Sequence, residues 1–374
     1  MTSFPDDPGA PVGGVEAVSV NLVQALTEFV GLEIHIVTTK RTYSSQRTER
    51  WGKAVVHRLP WAGGSTLRHA VGPGRRQIQE YLRQLAPDVV HAHDTYGLMI
   101  KGLDMPRVFT IHGFIHCDTL MGGGRWACLR SKLWKRAELA AWADQPHIIS
   151  ISPYVRERLA GVAKGAIHDI DNPVDEAFFE IISNEIRGRI FSAAVLSPLK
   201  NTLVLIEAFA RLATHGVGAS LRLAGAVTDA NYCRHIEERI HRLRLQDRVA
   251  LLGSIDRRHI QRELAEASVF VLVSLQENSP LGIEEAMAVG VPVLASNRCG
   301  MPYMVRDGES GFLVDPNDPD DIARRLDQLL RGDGLRRSMG AKSREIALDR
   351  FDPAKVAART REVYLLAILG SRRK

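Results

Sequence analysis

"ENSPLGIEEAM", residues 277–287, follows the apolar run "VFVLVSL" (269–275) and opens a helical pattern. A short apolar run bounded by turn residues and followed by helical periodicity reads as a strand, a turn and a helix. The stretch places Glu277 ahead of the helix and Glu284 and Glu285 inside it. Acids at that place are either solvated or aimed at a ligand rich in hydroxyl groups. Ser279 reads as the N-cap and Pro280 as the first helical residue. The N–H groups of Leu281 and Gly282 are then free to face a ligand, with Gly282 leaving room for close approach. A carboxylate can accept from two vicinal hydroxyls, so Glu277 and Glu285 suit two diols, one on a sugar and one on a ribose. Glu284 lies about 100° round the helix and is expected in solvent or in a salt bridge.

The same strand–helix alternation runs outward in both directions. "LEIHIVTT", "DVVHAHD", "PRVFTIHG" and "HIISIS" read as buried strands in the first half; "RIFSAAVL", "SLRLAGA", "RVALLGS" and "VPVLASN" do so in the second. Amphipathic stretches such as "EAVSVNLVQALTEF" and "NTLVLIEAFARLA" separate them. Strands alternating with helices imply right-handed βαβ units and parallel sheets. At 374 residues the chain exceeds one ordinary core. The pattern lapses at "NPVDEAFFEIISNEIRGR" (172–189), which puts the boundary there. The expectation is two doubly wound α/β domains, 1–182 and 183–354, with a ligand cleft between them. In the last helix Val356, Ala357, Val363, Tyr364, Ala367 and Ile368 recur at helical spacing, so 355–374 is expected to pack back on the first domain.

Doubly wound sheets bind ligands at the carboxyl ends of their strands, and three further ends carry suggestive residues. In "PVGGVEAV", Gly13 and Gly14 precede a helix whose first turn holds Glu16; free helix N–H groups favour an anion, although a plain turn explains a lone Gly-Gly as well. In "TIHGFIHCD", His112 follows a strand directly and either serves a sugar hydroxyl or is a satisfied structural histidine. His116 and Asp118 are its candidate helpers, and His91 and His93 flank the cleft or cap their strand. In "VLSPLKN", Lys200 lies in a strand-to-helix turn, where a cation suits a diphosphate and a solvated lysine is the competing reading.

Composition narrows the class. Hydrophobic residues make up 45% and charged ones 25%, as in a globular protein, and no run approaches the length of a membrane span. Cys117, Cys128, Cys233 and Cys299 form no CxxC pair, which argues against a zinc site or a disulfide framework and for a reduced, cytoplasmic protein. The net charge of +6 comes with no nucleic-acid motif. One basic cluster stands out in "RWACLRSKLWKRAEL" (125–139), where Arg125, Arg130, Lys132, Lys135 and Arg136 precede the first acid, Glu138. A solvated helix face is the plain reading of 125–136; peripheral contact with anionic lipid, or docking of a phosphorylated acceptor, is the alternative.

Taken in order, these pieces resemble a known family. "GGVEAVSVNLVQAL", "DVVHAHD", "TIHG", "SPLKNTLVLIEAFARL", the Glu277-x7-Glu285 run and "VRDGESGFLVDPNDPDDIA" resemble the retaining glycosyltransferases of GT-B fold, family four (group 1) type, over nearly the whole chain. The resemblance implies an α/β GT-B architecture of two tandem Rossmann-like domains with an interdomain cleft. It implies transfer of a hexose from a nucleotide sugar, such as UDP- or GDP-hexose, to a hydroxyl on a glycan, glycolipid or small glycoside. It places Glu277 on donor-sugar hydroxyls, Glu285 on the ribose, Lys200 on the diphosphate and His112 beside the transferred sugar. Gly14 falls in the loop that closes on the phosphates, and Asn278, Ser279, Pro280, Leu281 and Gly282 line the donor. No cofactor or metal is implied, and no Asp-x-Asp motif sits at a strand end.

Two positions depart from the family pattern. Val195 stands where an arginine precedes the lysine by five residues, and "CGMPYMV" replaces "GG-P-E", with Tyr303 in the acid's place. Val195 is the feature that favours a non-catalytic sugar-nucleotide-binding protein, and a GT-B epimerase would also need a bipartite cleft. The acceptor is expected to meet the loops at about 40–75 and 114–130. Finally, relatives carry a full apolar strand ahead of the segment matching "TSFP", so the expectation is that Met1–Phe4 is the tail of a strand with apolar residues upstream.

Overall fold

The computed structural model describes residues 1–214, 216 and 218–371. The chain divides into two units, Met1–Pro173 with Pro353 onward, and Val174–Asp352. The division falls ahead of the expected 182/183. Val174 N donates to Phe351 O (3.0 Å), and Phe178 and Phe179 are buried in the second unit's core, so 174–182 belong to the second unit.

In the first unit β1 (His35–Lys40), β2 (Arg47–Trp51) and β3 (Ala54–Pro60) form one sheet, in the order β1-β3-β2. A second, parallel sheet has the order β4-β5-β6-β7: β4 (Val90–His93), β5 (Arg107–Ile111), β6 (His147–Ser150) and β7 (Ala166–Asp169). Residues 40–75, expected as loop, therefore contain two strands and the short helix Thr66–Val71. β2 is an exposed, charged edge strand antiparallel to β3, which hides its strand character in the sequence. Met1–Phe4 run between β1 and β4: Thr2 N donates to Val37 O (3.4 Å), His93 N to Met1 O (3.0 Å) and the Met1 amine to His91 O (2.6 Å). A groove of about 140 Å³ lies beside Met1, lined by Leu22, Leu26, Ile36, Val90 and Tyr364 among others. The helix Pro353–Ser371 belongs to this unit. Its Val356, Ala357, Val363, Tyr364 and Ala367 are buried against Leu22 and Leu26 of the helix Gly14–Leu26 and against Val108 and Ile149, while residues 372–374 lie outside the described residues.

In the second unit a six-stranded sheet has the order β10-β9-β8-β11-β12-β13 and is parallel throughout. Its strands are β8 (Arg189–Ala193), β9 (Ser220–Ala224), β10 (Val249–Gly253), β11 (Val269–Leu272), β12 (Val293–Ser296) and β13 (Gly311–Val314). β11 and β12 are buried along their whole length, as unbroken apolar strands covered by helices on both faces must be. Counted within the unit, the strand order is 3-2-1-4-5-6, the doubly wound Rossmann order. Its reversal lies between β8 and β11. Ligands of such sheets bind at the carboxyl ends of the two strands flanking the reversal, and the chain places its candidate residues after those two strands.

Candidate active site

After β8 the chain makes a 3₁₀ turn, Pro198–Lys200, closed by Asn201 in the left-handed region (φ 59°). Asparagine tolerates that conformation better than most side chains, and here its amide also donates to Pro316 O (2.6 Å) and Val273 O (3.3 Å). Leu275 N donates to Leu199 O (2.9 Å), tying the turn to the segment leaving β11. The two strand ends are thus joined by backbone and side-chain bonds. The consequence is direct: the Lys200 ammonium contacts Glu277 Oε1, and both side chains are mostly shielded from solvent. Two residues separated by 77 positions in sequence form a half-buried ion pair at the switch point.

Glu277 is held from the other side as well. Gly300 N donates to Glu277 O (2.8 Å), and a Cβ at Gly300 would lie 1.7 Å from Asn278 O, so only glycine fits there. Cys299 before it takes φ 56°, a conformation that is costly for a residue with a side chain. Tyr303, in the place of the family's acid, is partly exposed and accepts through its carbonyl from Arg350 Nη1 (2.7 Å).

The opening stretch differs from its expected geometry in three respects. The helix is Leu281–Val289 with Pro280 as N-cap, so Ser279 lies one residue outside; its hydroxyl donates to Glu284 Oε1 (2.6 Å) instead of capping. Glu284, expected in solvent or in a salt bridge, is fully buried, and it serves as the anchor that draws Ser279 and the turn onto the helix. The Cα hydrogen side of Gly282 faces Phe270 Cζ and Ala193 O, at 3.1 and 3.3 Å from a built Cβ. Its small size therefore serves helix–sheet packing. Asn278 is buried.

Glu285 sits one turn into the helix. Burial pushes its carboxyl up to about 8, against the attraction of Arg257 and with the repulsion of Asp175. Arg257 and Asp175 pair with each other beside it. The sequence reading missed this pair, because Arg257 opens the helix Arg257–Glu266 and Asp175 caps the helix Glu176–Phe179, both ordinary places for those residue types. The unit thus supplies a second cation, close to Glu285 rather than at the position of Val195.

In the first unit His112 follows β5. Its backbone N–H and that of Gly113 donate to Asp94 Oδ1 (2.8 and 3.2 Å). Asp94 adopts φ 46°, ψ −118°, a strained conformation sustained by these bonds. The His112 ring stacks on His93 (centroids 5.1 Å, interplanar 6°), with His112 Nε2 2.8 Å from His93 Nδ1. Burial holds the imidazole below its usual pKa, partly offset by Asp94 and by a hydrogen bond to Asn172. At neutral pH it is an uncharged ring, suited to hydrogen bonding. His91 bonds Tyr364 Oη and Thr110 Oγ1 (2.7 Å each), a structural role. His116 is bound to the buried Glu138 through Nδ1 (2.7 Å), and Asp118 lies exposed on the helix Ile115–Met121. Gly14 is the first residue of the helix Gly14–Leu26 and is exposed. Near that helix start, Glu16 Oε2 accepts from Val12 N (2.9 Å), and Glu16 pairs with Lys40 (3.5 Å).

With this arrangement in hand, comparison with known proteins is decisive. Residues 174–346 match the model of the glycosyl transferases group 1 and residues 12–178 that of glycosyltransferase family 4. A mannosyltransferase of Mycolicibacterium hassiacum, the MMP alpha-(1->4)-mannosyltransferase, is 30% identical across 75% of this chain and 71% of its own. The chain belongs to the group 1 glycosyltransferases. An uncharacterized glycosyltransferase of Methanocaldococcus jannaschii is 25% identical over 94% of both chains. In fold, the glycosyltransferase matches sucrose-phosphate synthase from Thermosynechococcus elongatus (TM-score 0.84, 20% identity, 98% of each chain). It also matches Anabaena HepE, solved with UDP-glucose (TM-score 0.74, 18% identity, 96% of this chain and 98% of that one). The architecture is GT-B, and the protein is an enzyme of glycosyl transfer.

Proposed function

We propose that this glycosyltransferase moves a hexose from a nucleoside-diphosphate hexose, UDP- or GDP-linked, to a hydroxyl of a glycan, lipid-linked or small-molecule acceptor, with retention at the anomeric carbon. The observation that carries the reading is the Lys200–Glu277 pair at the carboxyl ends of β8 and β11. In this reading Lys200 meets the diphosphate and Glu277 the hydroxyls of the sugar beyond it. Glu285, Asn278 and the turn at Ser279–Gly282 complete the donor side. The Anabaena protein of like fold, solved with UDP-glucose, supports a donor of this class.

The chemistry asked of the protein is electrostatic. As the glycosidic bond to the diphosphate breaks, negative charge builds on the leaving oxygens. A preorganised ammonium and the amide dipoles of a helix start stabilise that charge without reorganisation. The acceptor hydroxyl attacks from the face the diphosphate leaves, passing its proton to a diphosphate oxygen, so configuration is kept. His112 contributes a neutral hydrogen-bonding ring near the transferred sugar, and the reaction proceeds without a divalent metal. The test is a nucleotide-sugar panel screened by thermal shift, followed by transfer in EDTA with the product's anomeric configuration read by NMR. An inverted product, or activity that returns only with added Mn²⁺, overturns the mechanism; stabilisation by no nucleotide sugar overturns the donor class.

A further inference from the structure

The first unit carries a basic, apolar surface that its fold leaves uncovered. The helix Ala127–Trp142 buries Ala127, Ser131, Trp134 and Glu138, which recur at steps of four, three and four residues and so define its inward face. The opposite face carries Leu129, Leu133 and Arg136, with Lys132 next to them, all exposed. Just ahead of the helix, Trp126 is 66% exposed and takes φ 64°, an unusual conformation for a bulky side chain, with Arg125 over its ring. The preceding helix, Ile115–Met121, ends in exposed Leu120 and Met121. Glu138 is the helix's single acid and is turned inward, where it accepts from Ile115 N and His116 N (2.9 and 3.1 Å). The outward face of the helix Ala127–Trp142 therefore mixes leucines with cations and carries no carboxylate, with Trp126 at its start, while the preceding helix adds one exposed acid, Asp118.

We propose that this helix–turn–helix face docks the enzyme on a bilayer containing anionic lipid. Neither half of the pattern alone identifies the partner. A face evolved only for water has no reason to expose tryptophan and two leucines on one side of a helix. A site for a soluble polyanion needs the cations without the apolar chains. Together they match a helix lying in the membrane interface, apolar chains at the acyl boundary and Lys and Arg at the headgroups. Each cation close to an anionic surface adds a factor of about five to partitioning. No helix among the described residues is long and apolar enough to cross a membrane, so such an attachment is peripheral. The proposal concerns the first unit alone and is independent of the donor chemistry.

The test is co-sedimentation of the full chain with vesicles of pure phosphatidylcholine and with vesicles also containing phosphatidylglycerol. Wild type pellets with the anionic vesicles and stays in solution with the neutral ones. Lys132→Gln/Arg136→Gln lowers partitioning about 30-fold, and Leu129→Ser/Leu133→Ser lowers it roughly tenfold or more. These positions are exposed, so thermal midpoints stay at the wild-type value and separate lost docking from lost fold. Wild type left in solution with anionic vesicles overturns the proposal. So does undiminished pelleting of both variants, or retention on heparin that ignores the leucine changes while vesicles bind nothing.

Discussion

Removing each partner of the Lys200–Glu277 pair in turn separates a donor site from a structural ion pair. In the free enzyme the two side chains are 20% and 15% exposed, so their attraction is only partly screened by solvent. In the proposed complex the ammonium faces a diphosphate carrying more charge than one carboxylate, and Glu277 turns to the sugar hydroxyls. Lys200→Ala removes a charge-assisted hydrogen bond to the nucleotide, on the order of 1.5–3 kcal/mol, or roughly ten- to 150-fold in Kd. It also leaves the Glu277 carboxylate facing the diphosphate, which pushes the loss toward the upper end.

Glu277→Ala behaves in the opposite way toward nucleotide. It frees Lys200 from its carboxylate, so a nucleoside diphosphate binds as tightly as before or more tightly, while kcat/KM for transfer falls by a similar ten- to 150-fold. The double variant binds nucleoside diphosphate better than Lys200→Ala alone, a coupling of about 0.5–3 kcal/mol between neighbours. Titration calorimetry with UDP, GDP and ADP, alongside initial rates, reads all three. Equal weakening of nucleotide binding in both single variants, or none in either, would refute the reasoning.

Glu285, held at about 8 by burial, accepts more strongly, and through both oxygens, from a ribose diol when ionised, so nucleotide affinity rises with pH up to about 8 and then levels. Glu285→Gln removes that dependence, measured by the same calorimetry across pH. Glu138 is raised to about 7, also by burial. A carboxyl whose folded pKa exceeds its unfolded one contributes stability that is full below the unfolded value, near 4.5, and lost as pH rises through the folded one. Up to about 3 kcal/mol disappears between those limits. Denaturant unfolding should show the slope in wild type and a shallower one in Glu138→Gln, where Glu285, also raised by burial, still contributes; a slope of opposite sign contradicts the assignment. Deleting 355–371 uncovers the apolar surface around Leu22, Leu26, Val108 and Ile149 and should give insoluble protein, which a soluble, active truncation would contradict.

What the sequence made legible was whatever is written in local pattern. The apolar runs of β11 and β12 stand out because both faces are buried and no polar residue interrupts them. Lys200 and Glu277 could be named because each lies in the turn that joins a strand to the next helix. The misreadings came where a residue's role is fixed by a distant partner. Glu284 reads as a surface glutamate until Ser279 is seen folding back onto it. β2 reads as loop because an edge strand needs no apolar face. The packing of Gly282 on Phe270 was likewise hidden, since it depends on a residue of the preceding strand.

The departures from the family pattern obey the same physical logic. In "CGMPY" the second glycine is retained because the backbone crosses over Asn278, a contact that tolerates no Cβ. The first has become Cys299, although the chain still needs a left-handed residue there (φ 56°). A conformation kept at a cost of about 1–2 kcal/mol signals that the loop's path matters more than its side chain. That path delivers Gly300 N to the Glu277 carbonyl, holding the backbone of the acid that pairs with Lys200. The loss of an arginine at Val195 leaves this arrangement untouched, since the turn is set by Asn201 and by Leu199 O rather than by residue 195. An arginine introduced at Val195 is therefore expected to strengthen nucleoside-diphosphate binding at the proposed site without moving the turn that carries Lys200.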